Sequence, residues 1–283
     1  MFNLRSTTAA VFGGTLFTLS SLASAVTVAP GTEHGLLSGA IAVVLDASPV
    51  IDLKLDDTEA TVGAIGELGY LARARTEYGV NHGYAQVVDG SAADGPAVGA
   101  LSVWADKFVV SGPGGATGAF AAPVSVTISG TLSAADYADG GYALFSLTEA
   151  QAQAILNGGE EFVFDQFVYG LPTDPAYGTP VITDFRSSDT SSGSDGFVLT
   201  GAVQGNYGEA FYLVSVLNLY AEQNGLVDAS NSAVFGITTP AGASLATSSG
   251  TVYTAAVPEP GTYALVLAGL FIVATTAARR RSA

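Results

Sequence analysis

Two histidines, 25 carboxylates and no cysteine set the limits of the chemistry open to this 283-residue chain. A serine-hydrolase relay needs a histidine between a serine and an acid. His34 and His82 are the only histidines, and no G-x-S-x-G elbow is present. His82 stands in Asn81-His82-Gly83, a turn-like setting that suits a surface histidine. His34 lies near the start of the chain, where segments are seldom tied down. No H-E-x-x-H occurs, which excludes a zincin. Without cysteine there is no thiolate catalysis and no Cys-based metal site. A glycosidase pair of carboxylates is left open by composition. Asp106 and Asp165 are the acids most readily placed in a cleft, yet no spacing singles out a pair. No catalytic, cofactor-binding or metal residue is assigned, and the chain reads as a non-enzyme, with a secreted hydrolase as the minor alternative.

Calcium is the one cofactor that the acids keep in play. Asp52-Leu53-Lys54-Leu55-Asp56-Asp57 and the stretch from Asp184 to Asp195 gather carboxylates near loops. The run Asp189-Thr190-Ser191-Ser192-Gly193-Ser194-Asp195-Gly196 has the composition of a calcium loop. It lacks the D-x-D-x-D-G spacing and the closing Glu, so a solvated Ser/Gly/Asp loop is the better reading. Trp104 and the tyrosines suggest a sugar-stacking platform. A single Trp on a strand is more often a core residue.

The two ends of the chain carry sharper signals. Arg5 precedes a modestly apolar run from Ala9 to Leu22, and Ala23-Ser24-Ala25 is an A-x-A site. This is a signal peptide over residues 1–25, cleaved after Ala25. At the other end, Val257-Pro258-Glu259-Pro260-Gly261-Thr262-Tyr263 leads into an uncharged run and then Arg279-Arg280-Arg281. The 19 residues between Glu259 and Arg279 reach roughly 28 Å as a helix, close to the hydrocarbon thickness of a bilayer. A single membrane helix is expected over 261–278, with the three arginines as its cytoplasmic stop.

Together these tail residues resemble the PEP-CTERM sorting signal of Gram-negative bacteria. The motif here is Pro258-Glu259-Pro260. Gly261 and Tyr263 depart slightly from the Ser and Trp common at those places. The resemblance implies that an exosortase, a membrane-embedded cysteine transpeptidase-like enzyme, reads the motif and processes the tail. It also implies passage through the Sec machinery and signal peptidase and a transient stay in the inner membrane with the C-terminus cytoplasmic. Release to the cell surface or an exopolysaccharide, biofilm-type matrix follows. A weaker resemblance to β-sandwich ectodomains that carry this signal covers Ser102–Asp106, Val109–Gly118, Asp228–Ala233 and Pro240–Gly242. It brings no catalytic residues with it.

Between the two ends, residues 26–256 form the body and 257–283 the sorting signal. From Val26 to Val257 five basic residues face 24 acids, a net charge of −19 against −16 for the whole chain. Such a body repels nucleic acid and anionic headgroups. Thirty-five glycines and few long charged side chains fit a turn-rich β protein. Strands are expected at Ala40–Leu45, Tyr84–Val88, Val98–Val110, Val124–Ile128, Phe162–Phe164, Phe167–Tyr169, Phe197–Val203, Phe211–Tyr220, Ala233–Ile237 and Gly250–Tyr253. The period of Phe211–Tyr220 does not itself decide between strand and helix. Ser146-Leu147-Thr148-Glu149 has the capping-box spacing and predicts a helix over Ala150–Leu156, stopped at Gly158-Gly159.

The sequence therefore predicts a mainly β, antiparallel sandwich or jelly-roll-like ectodomain with one short crossover helix. The function expected is that of an exported structural or interaction protein of the surface or matrix. A carbohydrate-binding module is the first alternative.

Overall fold

The computed structural model describes residues 37–45, 50–54, 59–88, 96–133, 137–154, 178–187, 197–222 and 224–253. The chain divides into two units, Met1–Tyr253 and Thr254–Ala283, and all the described residues belong to the first. The expected signal peptide (residues 1–25), Pro258-Glu259-Pro260, the expected membrane helix (261–278) and Arg279–Arg281 lie outside the described residues. No helix among the described residues is long and apolar enough to cross a membrane.

The longest strand organises one half of the sandwich. In β6 (Ala97–Ser111) valine, leucine, tryptophan and phenylalanine are interrupted only by small residues, Asp106 and Lys107. It pairs on one edge with β1 (Leu37–Leu45), which continues to β2 (Val50–Lys54). On its other edge lies β12 (Ala210–Glu222), followed by β9 (Tyr137–Leu147) and β10 (Thr179–Ser187). The short β14 (Ser244–Thr247) also pairs with β6, which completes the seven strands of sheet A.

Sheet B is also seven-stranded. Its order is β11 (Phe197–Asn206), β7 (Ala119–Ile128), β13 (Leu226–Ile237), β5 (Val80–Val87), β4 (Tyr70–Glu77) and β3 (Ala60–Ala64), with β8 (Thr131–Ser133) beside β13. Every pairing found among the described strands is antiparallel. The one-turn helix α1 (Ile65–Leu68) joins β3 to β4. The expected antiparallel sandwich is the observed architecture.

The core lies between the sheets. Side chains alternate along a strand, so Val98, Ala100, Trp104, Phe108 and Val110 of β6 point inward to meet Phe120, Val124 and Val126 of β7 and Phe235 of β13. Trp104 is fully buried, so it is a core residue and no sugar platform. Its ring centroid lies 5.3 Å from that of Phe235 and 5.5 Å from that of Tyr253. Phe108 lies 5.0 Å from Tyr253 and 5.4 Å from Phe211. Such tilted and stacked pairs add about 0.5–1.5 kcal/mol each beyond the area they bury.

A chain of polar groups pins the two sheets in register. Asn81 Nδ2 of β5 donates to the Ser102 carbonyl of β6 at 2.8 Å, and Ser215 Oγ of β12 donates to Asn81 Oδ1 at 2.6 Å. Because the Ser215 proton is committed there, the Tyr142 hydroxyl must donate in the 2.8 Å contact to Ser215 Oγ. At another point Thr76 Oγ1 of β4 donates to the Gly39 carbonyl of β1 at 2.7 Å. Each link replaces water on a buried polar group, and a one-residue slip of either sheet would leave several of them unpaired.

Several local expectations need correction. The capping box is built two residues later than predicted: β9 runs through Ser146 and Leu147, and Thr148 is the cap. Thr148 N donates to Gln151 Oε1 at 2.8 Å, and Gln151 N donates to Thr148 Oγ1 at 3.3 Å. Residues 149–154 are helical. They follow β9, whose hydrogen-bonded neighbour β10 is in the same sheet, and Ala152 joins the apolar cluster on the outward side of sheet A. Gly158-Gly159, Phe162–Phe164 and Phe167–Tyr169 fall outside the described residues. Gly250–Tyr253 is not a strand; it is irregular chain closing on the core through Tyr253.

Candidate functional site

On the outward side of sheet B, largely polar side chains of β4 and β5 border a depression of about 470 Å³. The residues that matter to its chemistry are Glu59, Arg73, Arg75, His82, Tyr84 and Ser230. Strand periodicity puts them there. In β4 the buried alanines Ala72 and Ala74 alternate with Arg73 and Arg75, and in β5 the buried Asn81, Gly83 and Ala85 alternate with His82 and Tyr84. The register sets Arg75 opposite His82 and Arg73 opposite Tyr84. Thr61 flanks Arg73 on one side, and Asp228 flanks Tyr84 on the other.

A bulge in β13 opens the depression. Between Ala229, opposite Gly83, and Ala233, opposite Asn81, β13 advances four residues while β5 advances two. At the same place β13 exchanges β8 for β7 as its other neighbour. Asp228 Oδ1 accepts from Ser230 N at 2.9 Å and from the Ser230 hydroxyl, an Asx-type turn that starts the bulge. The Ser230 carbonyl is thereby brought 2.9 Å from His82 Nδ1. Since a carbonyl only accepts, Nδ1 carries the proton. Gly130, between β7 and β8, packs so closely against this strand that a Cβ there would fall 1.9 Å from the Asp228 carbonyl oxygen. Bulges of this kind re-aim side chains and commonly border sites.

The charges in and beside the depression are nearly matched. Arg73 Nε stands 3.8 Å from Glu59 Oε1, and an Arg75 terminal nitrogen stands 2.6 Å from Glu77 Oε1. Burial and the neighbouring Asp228 push the Tyr84 hydroxyl above its ordinary range, with Arg73 pulling the other way. The Tyr84 hydroxyl donates to Gln86 Oε1. The result is a set of forked donors, carboxylate and carbonyl acceptors and one aromatic ring. It can hold a ligand by hydrogen bonds. His82 and Ser230 do not form a Ser-His-acid relay, because His82 Nδ1 faces a carbonyl rather than an acid and the Ser230 hydroxyl is engaged by Asp228. Glu59 is the one carboxylate in its lining, so the two-carboxylate geometry of a glycosidase is not present there.

The acids singled out from the sequence take other roles. Asp106 lies in no cleft: it is fully buried on the inward side of β6. Its Oδ1 accepts from Lys107 N at 2.7 Å, Ser248 Oγ at 2.6 Å and Ser249 N at 3.2 Å. Its Oδ2 accepts from Tyr253 Oη at 2.8 Å and from the Ser249 hydroxyl. These bonds fasten the last described turn into the core. Burial, with the Asp106 charge beside it, drives the Tyr253 hydroxyl far above its ordinary range. Gly79, at φ 86, makes room for that ring; a Cβ there would meet Tyr253 Cε1 at 2.8 Å.

Asp52 belongs to β2 rather than to a loop, and accepts from Lys54 Nζ at 2.6 Å and Thr61 N at 2.8 Å. Burial works to raise its pKa, but these partners outweigh it and hold the carboxyl below its ordinary value. Asp184 is in β10. Asp165, His34, Asp56, Asp57, Asp189 and Asp195 lie outside the described residues. Among the described residues no group of three or more His and acidic side chains is placed to hold a metal. His82 is not in a turn: the turn is Tyr78-Gly79, and His82 stands inside β5.

The arginines of β4 and the bulge residue Ser230 were not named as site residues from the sequence. A signal was there: Ala72 to Glu77 alternates small residues with charged ones, a half-buried strand pattern that passes unnoticed because its buried members are two alanines and a threonine. Comparison with family models, with curated proteins and with solved structures returns no match.

Proposed function

We propose that this chain is an exported surface or exopolysaccharide-matrix protein that acts by contact rather than by catalysis, delivered through its C-terminal sorting signal. The observation that carries this reading is the order of residues at the end of the chain. Pro258-Glu259-Pro260, an uncharged helix-length run and Arg279–Arg281 follow a body of net charge −19 that begins after an A-x-A site. The fold is in keeping with such a role. Its last described residue, Tyr253, is tied into the core through Asp106.

Replacing Glu259 with Gln tests the reading directly. It keeps size and both prolines and removes one charge. If an exosortase reads the motif, unprocessed precursor accumulates in the inner membrane. Normal processing of Glu259→Gln, in cells whose exosortase acts on other substrates, would overturn it. An ordinary tail anchor depends only on helix length and flanking charge and would ignore the change.

The carbohydrate-binding reading is favoured by one specific observation, the polar depression on sheet B. It rests on the outward residues of β4 and β5 and not on Trp104, which is a core residue.

A further inference from the structure

The outward side of sheet B around Arg73, Arg75, His82 and Tyr84 has a composition that narrows what it can bind. Both long edges of β5 are occupied, by β4 and β13. A peptide therefore cannot add to the sheet there as an extra strand. A polyanion is disfavoured by the body's −19 charge and by the acids Glu59 and Glu77 beside the two guanidinium groups. An apolar surface would find charged side chains about half exposed, at 50% for Arg73 and 47% for Arg75.

What remains is a neutral ligand rich in groups that both donate and accept. Vicinal hydroxyls are such groups. The arginine forks donate, the Glu59 carboxylate accepts, and His82 adds a ring nitrogen. In the neutral tautomer with Nδ1 protonated towards Ser230, Nε2 is an acceptor. The Tyr84 ring forms part of the wall, and an aromatic ring suits the C–H face of a pyranose by the same logic that pairs it with other apolar surface. The volume of about 470 Å³ is within the range of small-ligand sites, roughly 300–1,000 Å³.

We propose that this depression is a binding site for a neutral pyranose unit of a polysaccharide, held chiefly by Arg73, Glu59 and Tyr84. This rests on the contact role proposed above and names its ligand class. Two features give it a sharper form. The β13 bulge that shapes the depression makes the site depend on Asp228 and Gly130, far from it in sequence. Because the ligand is uncharged, there is no charge–charge attraction for salt to screen, and binding is insensitive to salt.

The test is capture of the full chain, solubilised in a polyoxyethylene detergent so that no sugar headgroup competes. Beads carry cellulose, xylan, mannan or dextran, with alginate as the acidic control. At least one neutral polymer is expected to retain the protein, equally at low salt and at about 0.5 M NaCl, where charge interactions are screened within about 4 Å. Arg73→Ala and Tyr84→Ala are each expected to weaken retention by about tenfold, the effect of losing roughly 1.4 kcal/mol of contact. Arg73→Lys keeps the charge but loses the fork and is expected to recover little of it. Lys54→Ala, on sheet A, is expected to bind as the parent does.

Three results would overturn the proposal. These are failure of all four neutral polymers to retain the protein, undiminished retention of both Arg73→Ala and Tyr84→Ala, or retention by alginate alone with release in salt. Any of them leaves the sorting reading to stand or fall separately on Glu259→Gln.

Discussion

On the outward side of sheet A, Leu101, Val103 and Ala105 of β6 are at most 4% exposed. On the outward side of sheet B, Arg73 and Arg75 of β4 keep about half of their side-chain surface. The two sheets share one interior but face outward in opposite ways. Ile41, Val103, Phe145, Val214 and Val216 form a second apolar cluster on A, joined by Ala152 of the helical segment after β9. The centre of sheet A is thus buried on both faces, and its central strands read as continuous apolar runs. Sheet B is buried on one face, so β4, β5 and β7 alternate, and its free face can carry polar chemistry. The difference teaches where to look for function in a sandwich of this kind: on the sheet whose outward residues are not needed for folding.

Like-for-like substitution should break the comparison most sharply. Val103 is fully buried on A, whereas Val198 of β11 is 59% exposed on B. Val103→Asp is expected to cost at least about 4 kcal/mol and to abolish cooperative melting, since it leaves an unpaired charge in an apolar layer. Val198→Asp should cost about 0.5 kcal/mol. Comparable losses in denaturant titrations would show that the two outward faces are not different after all.

The shared interior comes next. Asp106→Ala would leave the hydroxyls of Ser248, Ser249 and Tyr253 without their acceptor. A loss of about 3 kcal/mol is expected, together with proteolysis in the 248–253 turn under conditions where the parent resists. Gly130→Ala acts on sheet B alone. The close approach to Asp228 forces the strand to move, and a loss of about 2 kcal/mol is expected. Chemical shifts of His82 and Tyr84 should change with it, while those of Val103 and Phe145 should not.

A pH titration probes buried tyrosines between the sheets. Burial raises the Tyr142 hydroxyl, and burial with Asp106 raises Tyr253. Above about pH 10 the unfolded chain releases these protons while the folded one keeps them. The folded state then binds more protons, so stability is full below pH 10 and falls as pH rises. The slope should approach about 1.4 kcal/mol per pH unit for each tyrosine, and Tyr142→Phe should reduce it by one such step. A melting temperature that does not fall between pH 9.5 and 11 would contradict the burial of these hydroxyls. The smallest effect is expected at Arg75→Ala, within about 0.5 kcal/mol, because its exposed pair with Glu77 contributes little to folding. Any role for Arg75 must then appear in binding.

Strands whose inward residues are large were legible in the sequence. Val124, Val126 and Ile128 mark β7, and the runs at Val98–Val110 and Phe211–Tyr220 mark β6 and β12. Strands β3 and β4 were not. Their buried members are mostly alanines, with Val62 and Thr76, which carry little hydrophobic signal. Strand β9 was obscured by its own end, where Ser146 and Glu149 mimic a cap that Thr148 and Gln151 form instead.

By itself the sequence determined the class of fold, the charge of the body and the absence of cysteine chemistry, and it is the source of the proposed reading of both termini. These follow from composition, short-range period and length, which need no partner to be recognised. Tertiary structure alone decided that Asp106 is a buried fastening rather than a cleft acid. It also decided that His82 meets Ser230, 148 positions away. Each depends on which strand lies beside or across from which, and on a bulge whose place is set by β13 exchanging β8 for β7. Pairings over such separations arise from register and packing between whole strands, and no local run of residues encodes them.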